Sequence, residues 1–268
     1  MTLSDAIRIL DSAGVPSPEY DAREIFRHAE GIPFGAPIPK GMNSLLAEPL
    51  IERRRLREPL GYIIGEVGFF REVYEVNPDV LIPRPDTEIL VEYATAHIPR
   101  GESFLDLCTG SGCIAISTLK NTQNTRAVAV DISKGALAVA KRNAERMCVT
   151  DRLTLEERDL TRDGLPTGEF FAVLSNPPYV TNGEYRDLEP EIYREPKGAF
   201  LGGEDGLDFY KILLPLSLDR LKKDGFIAFE IGAYQAEALK TLASEHNLAL
   251  EIIRDYAGMD RVAVIRRK

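Results

Sequence analysis

From Ser103 onward, short apolar runs alternate with longer segments of helical periodicity, and this alternation limits the fold more than any other feature. Ser103–Leu107, Arg126–Val130, Leu153–Glu156 and Phe170–Ser175 have the length and apolar content of strands. Gly112–Lys120 and Lys134–Met147 read as helices between them. A helix at Leu207–Leu221, a strand at Phe226–Ile231, a helix at Ala233–Ser244 and closing strands at Ala249–Arg254 and Arg261–Ile265 complete the series. Repeated β-α-β units require a parallel sheet covered on both faces, with ligands gathered at the carboxyl ends of the strands. The expected class is α/β.

The preceding residues follow a different pattern. Ser4 is placed to cap a helix that Gly14 ends, Ser17-Pro18 opens a second helix that Gly31 ends, and Pro33–Pro39 is rich in breakers. Asn43 or Ser44 is expected to start a third helix through Leu45, Leu46, Leu50, Ile51 and Leu56. Its outer side would carry Arg53, Arg54, Arg55 and Arg57, either as a solvated face or as a docking surface. Residues 67–76 suit a short hairpin, and Pro83 and Pro85 keep the following segment extended. Asp86 or Thr87 then caps a helix containing Ile89, Leu90 and Val91. The expected division is a helical unit at 1–66, a β-hairpin linker at 67–84 and a larger α/β domain at 85–268.

The formal charge of −9 disfavours broad neutralisation of nucleic-acid phosphates and leaves room only for a local basic patch. No stretch approaches the roughly 18 consecutive apolar residues of a membrane span, and the N-terminus lacks a basic region followed by an apolar run. Three cysteines, Cys108, Cys113 and Cys148, cannot all pair and form no CxxC, so they are expected to be reduced, with no metal framework. A cytoplasmic chain is expected.

The segment Asp106-Leu107-Cys108-Thr109-Gly110-Ser111-Gly112 runs from a strand into a helix. Its glycines let the backbone turn tightly and approach a ligand, and the helix start offers free N–H groups. Asp131 follows Gly110 by 21 positions, at the end of the next strand, where a carboxylate can accept both ribose hydroxyls of an adenosine. Gly110-x-Gly112-x-x-Ala115 also satisfies a dinucleotide fingerprint, so a nicotinamide oxidoreductase is one alternative. Asp106 argues against it: a carboxylate there opposes a pyrophosphate but suits the ammonium and sulfonium of S-adenosylmethionine. None of His28, His97 and His246 sits in an evident hydride-transfer motif. Asp159, past the third strand, is placed either to receive the adenine amine or to remain a solvated acid.

After the apolar strand Phe170–Ser175 comes Asn176-Pro177-Pro178-Tyr179. Two prolines fix two φ angles and hold the loop extended before any ligand arrives. The Asn176 side-chain oxygen and the Pro177 carbonyl then form a pair of acceptors, and Tyr179 adds an aromatic face. This arrangement suits a planar –NH2 group, a poor nucleophile whose lone pair is delocalised.

Taken together, these residues resemble the class I S-adenosylmethionine-dependent methyltransferases. More narrowly, the chain resembles the HemK/PrmC family, the protein-(glutamine-N5) methyltransferases of bacterial peptide chain release factors. The resemblance rests on Pro59–Gly65, on Leu81-Ile82-Pro83-Arg84-Pro85-Asp86-Thr87-Glu88, on the Asp106–Gly112 turn, on Asn176–Tyr179 and on Gly202–Leu207. It implies a five-helix-like N-terminal substrate domain and a seven-stranded, Rossmann-like catalytic domain. It also implies methylation of the glutamine in a Gly-Gly-Gln loop. In such an enzyme Asp106 and Cys108 through Gly112 (Thr109, Gly110 and Ser111 between them) line the donor. Asp131 holds its ribose, and Asp159 and Leu160 lie at the adenine. Asn176, Pro177, Pro178 and Tyr179 bind the substrate glutamine, Asn176 also touching the donor. Many relatives have Gly where this chain has Cys108. The Asn-Pro-Pro-Tyr motif alone is shared with enzymes that methylate DNA adenine or RNA guanine, so an N-methyltransferase of a nucleic-acid amine is a further alternative, and a non-catalytic binding module another. The expected partner is a release factor, with no membrane, no stable nucleic-acid binding and a monomeric chain.

Overall fold

The computed structural model describes residues 1–33 and 36–268; Phe34 and Gly35, within the breaker-rich stretch, lie outside the described residues. Helices α1 (Leu3–Ser12), α2 (Pro18–Glu30), α3 (Ala47–Arg55) and α4 (Leu60–Ile64) pack around Leu10, Ile25, Phe26 and Ile51. Four α-helices, rather than five, thus precede the hairpin among the described residues. The cap of α1 is Thr2, not Ser4. Its hydroxyl accepts Asp5 N–H at 3.1 Å while Asp5 reaches back to Thr2, a capping box that the Thr-x-x-Asp spacing carries. As expected, α2 starts after Ser17 and ends at Gly31, whose φ is 62°.

The third helix departs from expectation. It begins at Ala47, with Ser44 Oγ accepting Ala47 N–H at 2.9 Å, and Leu45, Leu46 and Leu56 are exposed. Its arginines do not form one outer face. Arg54 is only 5% exposed and binds Asp21 at 2.6 Å and Glu191 at 2.7 Å. Arg57 binds Glu189 and Glu191, Arg53 binds Glu58, and Arg55 binds Glu52. The apparent basic patch is therefore largely consumed within the chain.

Strands β1 (Glu66–Phe69) and β2 (Glu72–Glu75) form an antiparallel hairpin. Its turn residues Phe70 and Arg71 both have positive φ, 43° and 71°, the hand that matches strand twist. After a tight 3-10 turn at Pro85–Thr87 comes α5 (Glu88–His97).

The remaining elements are β3 (Ser103–Leu107), α6 (Cys113–Asn121), β4 (Arg126–Asp131), α7 (Lys134–Arg146), β5 (Leu153–Glu157) and β6 (Phe170–Ser175). They continue with α8 (Asp208–Leu218), β7 (Leu221–Glu230), α9 (Ala236–Glu245), β8 (Leu248–Arg254) and β9 (Asp260–Arg267). The seven strands are ordered β5-β4-β3-β6-β7-β9-β8, the first five parallel and β9 antiparallel to both neighbours. Fully buried residues such as Phe104, Ala172 and Phe226 on one face, and Leu105, Val173 and Phe229 on the other, build two apolar layers. This two-sided burial explains the nearly continuous apolar strands of the sequence.

Strand β7 begins five residues earlier than expected. Leu221 pairs with Phe170 and Phe226 with Ala172, so Lys222-Lys223-Asp224-Gly225 bulges out of the ladder at a register shift. Gly225 makes this possible, since a Cβ there would lie 2.4 Å from the Phe171 carbonyl.

Candidate active site

At the point where the strand order reverses, β3 and β6 lie side by side, and their register pairs Leu107 with Ser175. Ser175 Oγ donates to the Leu107 carbonyl at 2.7 Å. Cys108 and Asn176 therefore leave the sheet together at its carboxyl edge, where such sheets bind ligands.

On the Cys108 side the chain makes a turn in which Cys108, Gly110 and Gly112 all have positive φ, at 58°, 54° and 81°. A residue with a Cβ adopts that conformation at a cost of about 1–2 kcal/mol, which is a physical reason for glycine to suit position 108. Burial pushes the Cys108 thiol well up, so it remains protonated and acts as a small packing group. At Gly112 a Cβ would lie 2.9 Å from Ile116 and 3.2 Å from Ala140.

Beneath this turn, Asp106 is fully buried. Its Oδ2 accepts the Thr109 hydroxyl at 2.6 Å and Ala115 N–H at 3.1 Å, while Oδ1 has no partner. Burial raises its pKa to about 7. Among the turn residues, Cys108 and Gly110 line the adjacent cavity; Asp106, Thr109, Ser111 and Gly112 shape it from behind. Asn143 of α7 braces the arrangement, donating to the carbonyls of Ser111 at 2.9 Å and Glu75 at 3.1 Å and so joining the turn to the hairpin.

Asp131 faces the same cavity, of about 380 Å³. Its Oδ2 accepts Gly110 N–H and its Oδ1 accepts Ser133 N–H, each at 2.9 Å. A carboxylate oxygen can accept more than one hydrogen bond, so both retain capacity for a vicinal diol. Asp159 and Leu160 line the far end. The Asp159 carboxylate is held below its usual range, chiefly by the Thr161 hydroxyl at 2.6 Å. Val80, Leu81 and Phe209 add apolar wall. Paired acceptors for a diol, an apolar slot and a buried carboxyl oxygen without a partner fit the ribose, adenine and cationic end of S-adenosylmethionine.

Asn176 borders this cavity and a second, smaller one of about 120 Å³ lined also by Tyr179, Arg84, Leu188, Phe200 and Glu230. Asn176 Nδ2 donates to Thr87 Oγ1 at 3.3 Å, and among the described residues nothing donates to its Oδ1. Pro178 lines the larger cavity, whereas Pro177 lines neither; its carbonyl accepts no hydrogen bond among the described residues. The Tyr179 hydroxyl donates to Glu230 Oε1 at 3.2 Å.

Distant residues hold this corner. Gln235 Nε2 donates to the carbonyls of Tyr179 and Gly206, both at 3.1 Å. A Cβ at Gly202 would stand 2.7 Å from the Pro178 carbonyl, and one at Gly206 2.4 Å from that of Tyr179. Residues 188–200 roof both cavities. Glu195, 5% exposed, accepts Ile82 N–H at 2.9 Å and pairs with Arg84, while Glu191 pairs with Arg54 and Arg57 of the helical unit. Burial pushes Glu191 up, but the two arginines outweigh it and leave its pKa lowered. Arg84 thus ties the roof down and also lines the small cavity.

Sequence reasoning left Glu230 and Gln235 without a role and gave Thr87 only that of a helix cap, a bond its side chain does not make. Each is a single polar residue beside an apolar run, and only the tertiary fold brings it to the corner.

Residues 85–195 match the methyltransferase small domain family. The release factor glutamine methyltransferase of Geobacter sulfurreducens is 40% identical over 217 residues, covering 80% of this chain and 75% of that protein. The protein of the same name from Nitratidesulfovibrio vulgaris is 34% identical, covering 99% of this chain and 94% of its own length. Among solved structures, the ribosomal protein L11 methylase of Lactobacillus delbrueckii subsp. bulgaricus (TM-score 0.52, 20% identity, 74% of this chain and 86% of that one) shares the fold. So does a methyltransferase of Pyrococcus furiosus (TM-score 0.54, 20% identity, 72% and 86%). By its similarity along almost its entire length, the chain belongs to the release factor glutamine methyltransferase family.

Proposed function

We propose that this enzyme transfers a methyl group from S-adenosylmethionine to the side-chain N5 nitrogen of the glutamine in the Gly-Gly-Gln motif of bacterial peptide chain release factors. The observation that carries this reading is Asn176 standing on the wall shared by the two cavities, with Oδ1 lacking a donor. Bound in the larger cavity, the donor supplies an electrophilic methyl on a sulfonium. Asp131 holds the ribose, Asp159 and Leu160 flank the base, and the Cys108–Gly112 turn above Asp106 receives the methionine end.

From the small cavity, Asn176 Oδ1 accepts one N–H bond of the glutamine amide and Tyr179 packs on its plane; the Pro177 carbonyl, free of internal hydrogen bonds but outside both cavity walls, takes the second once the corner adjusts to the bound amide. Accepting both protons favours a more tetrahedral nitrogen with its lone pair aimed at the methyl group. Positioning of this kind can supply up to about 7–11 kcal/mol of the barrier, with acceptor electrostatics added. The nitrogen sheds its extra proton after transfer, so the corner requires no general base.

The helical unit at 1–66, joined through the 67–84 hairpin segment to the 85–268 domain, serves as the release-factor docking unit in this reading. Both cavities are complete within one chain, which supports a monomer. No helix among the described residues is long and apolar enough to cross a membrane, in keeping with a cytoplasmic enzyme acting where translation ends. A nucleic-acid substrate is disfavoured because Arg53, Arg54, Arg55 and Arg57 are engaged by carboxylates of the same chain. The test is incubation with donor and release factor followed by peptide mass spectrometry. One methyl group on the Gly-Gly-Gln peptide is expected; methyl transfer to RNA or DNA instead would overturn the reading.

A further inference from the structure

The side chains around the small cavity present acceptors and very little that can donate. Their donors are those of Asn176, Tyr179 and Arg84. Asn176 Nδ2 is engaged by Thr87 Oγ1, and the Tyr179 hydroxyl by Glu230. An arginine has five N–H bonds; among the described residues only Nη2 of Arg84 has a partner, Glu195 Oε1. The Arg84 side chain keeps 34% exposure, whereas that of Glu195 keeps 1%. Glu195 is fixed through its other oxygen, which accepts Ile82 N–H at 2.9 Å. Thr87 N–H donates to the Arg84 carbonyl at 3.1 Å, so Arg84 stands one 3-10 turn before the hydroxyl that meets Asn176. An unused donor fork and the partner of Asn176 thus share one short segment.

A glutamine carboxamide brings two N–H bonds and a carbonyl oxygen with two lone pairs. Asn176 Oδ1 serves the nitrogen. A carbonyl oxygen that leaves water for a site without a donor costs about tenfold to a hundredfold in binding. Shape does not settle the orientation either, because a carboxamide has nearly the same outline when its oxygen and nitrogen are exchanged. A donor on the oxygen side settles it. The inverted amide would set N–H against N–H at Arg84 and oxygen against oxygen at Asn176.

We propose that Arg84 binds the carbonyl oxygen of the methyl-accepting carboxamide and so turns its nitrogen toward the donor, with Glu195 as the positioning residue that aims and neutralises the guanidinium. The inference rests on, and deepens, the reading of the small cavity as a glutamine site. Charge is the reason for the pairing. An uncompensated arginine would favour a glutamate side chain, which has the shape of glutamine and no nucleophilic nitrogen, and would repel the sulfonium. Paired with a buried carboxylate, Arg84 supplies hydrogen bonds with little net charge, which suits a neutral amide.

The test uses the full chain with Arg84→Met and Glu195→Gln, on a release factor and on its counterpart carrying Gly-Gly-Glu in place of Gly-Gly-Gln. Arg84→Met keeps a long side chain and removes every donor. It is expected to lower kcat/KM for the release factor about tenfold to a hundredfold, while calorimetry finds S-adenosylhomocysteine affinity within about threefold. A role confined to tying down the roof would weaken donor binding as well, because Pro196, Gly198 and Ala199 of the roof line the donor cavity. Equal losses in both measurements therefore overturn the proposal, as does an unchanged kcat/KM. Glu195→Gln keeps an acceptor for Ile82 N–H and uncovers the Arg84 charge. The Gly-Gly-Glu protein is then expected to inhibit about tenfold more strongly than it inhibits wild type, since a hydrogen bond between charged groups outweighs one to a neutral partner. Unchanged inhibition overturns the proposal, and this readout decides alone if Arg84→Met does not fold. Wild-type enzyme that leaves the Gly-Gly-Gln glutamine unmethylated refutes the substrate reading; wild-type methylation alongside any of the overturning results refutes the role of Arg84 only.

Discussion

The donor and acceptor sides of Asn176 are rigid for different reasons. The donor side is held mainly by its own neighbourhood: Gly110 and Ser133 main-chain N–H groups bind Asp131, and the Cys108–Gly112 turn follows its strand directly. The acceptor side is held by residues scattered along the chain, with Gln235, Gly202 and Gly206 behind Tyr179 and Pro178, and Thr87 beside Asn176. A short contiguous segment can specify the first arrangement. Only a completed tertiary fold can specify the second.

The largest expected effect probes the roof that this second arrangement depends on. Arg54→Ala leaves the buried Asp21 without its partner and strips Glu191 of one of its two arginines, and losing one member of a buried ion pair costs about 3–5 kcal/mol. Urea unfolding measures it; a loss below about 1 kcal/mol would place this arginine with ordinary surface pairs. Next, Asn176→Ala should lower kcat by about 10²–10³ while calorimetry finds nearly unchanged affinity for S-adenosylhomocysteine. Asp131→Ala should reverse the pattern, weakening that affinity by about 2–3 kcal/mol through lost charged hydrogen bonds. If both variants lose donor binding equally, the two sides are one unit and the contrast fails.

Gly206→Ala sharpens it further. Its φ of 73° and the 2.4 Å approach to the Tyr179 carbonyl force the corner to shift, and a misplacement of this kind can cost up to about a hundredfold in rate. Donor affinity should stay within about threefold, since the main-chain bonds that hold Asp131 are untouched. The last test lies beneath the donor side and reads a pH slope. Asp106 has its folded pKa raised to about 7 by burial, against about 3.9 unfolded. The folded state therefore retains a proton that the unfolded chain releases. This contribution to stability is fully present below pH ~4 and lost as pH rises through ~7. Asp106→Asn should flatten that decline in urea midpoints measured across the window; an unchanged slope would mean the carboxyl titrates normally.

The same contrast explains what the sequence disclosed. The strands Ser103–Leu107 and Phe170–Ser175 match their expected limits because two-sided burial demands unbroken apolar runs. The glycine turn and Asp131 were legible because spacing alone places them together. The start of β7 was hidden by Lys222–Asp224, which are polar where the strand lies toward its exposed end. Arg54 and Arg57 looked like part of one outward face because their partners, Asp21, Glu189 and Glu191, are remote in sequence. Glu230 gave no signal at all: a lone acid closing an apolar strand reads as an ordinary solvent-facing end until Tyr179 and Thr87 fold over it.

The contact of Gly202 and Gly206 with the Pro178–Tyr179 backbone has a practical consequence for anyone who would retarget this catalyst. That wall cannot be hollowed out, because no side chain is there to trim, and any added carbon displaces the corner itself. Room for a bulkier amine must come from the opposite wall, where Leu188, Ile192 and Phe200 supply removable volume. Selection for new acceptors is expected to accumulate changes in those three positions and to leave the two glycines alone.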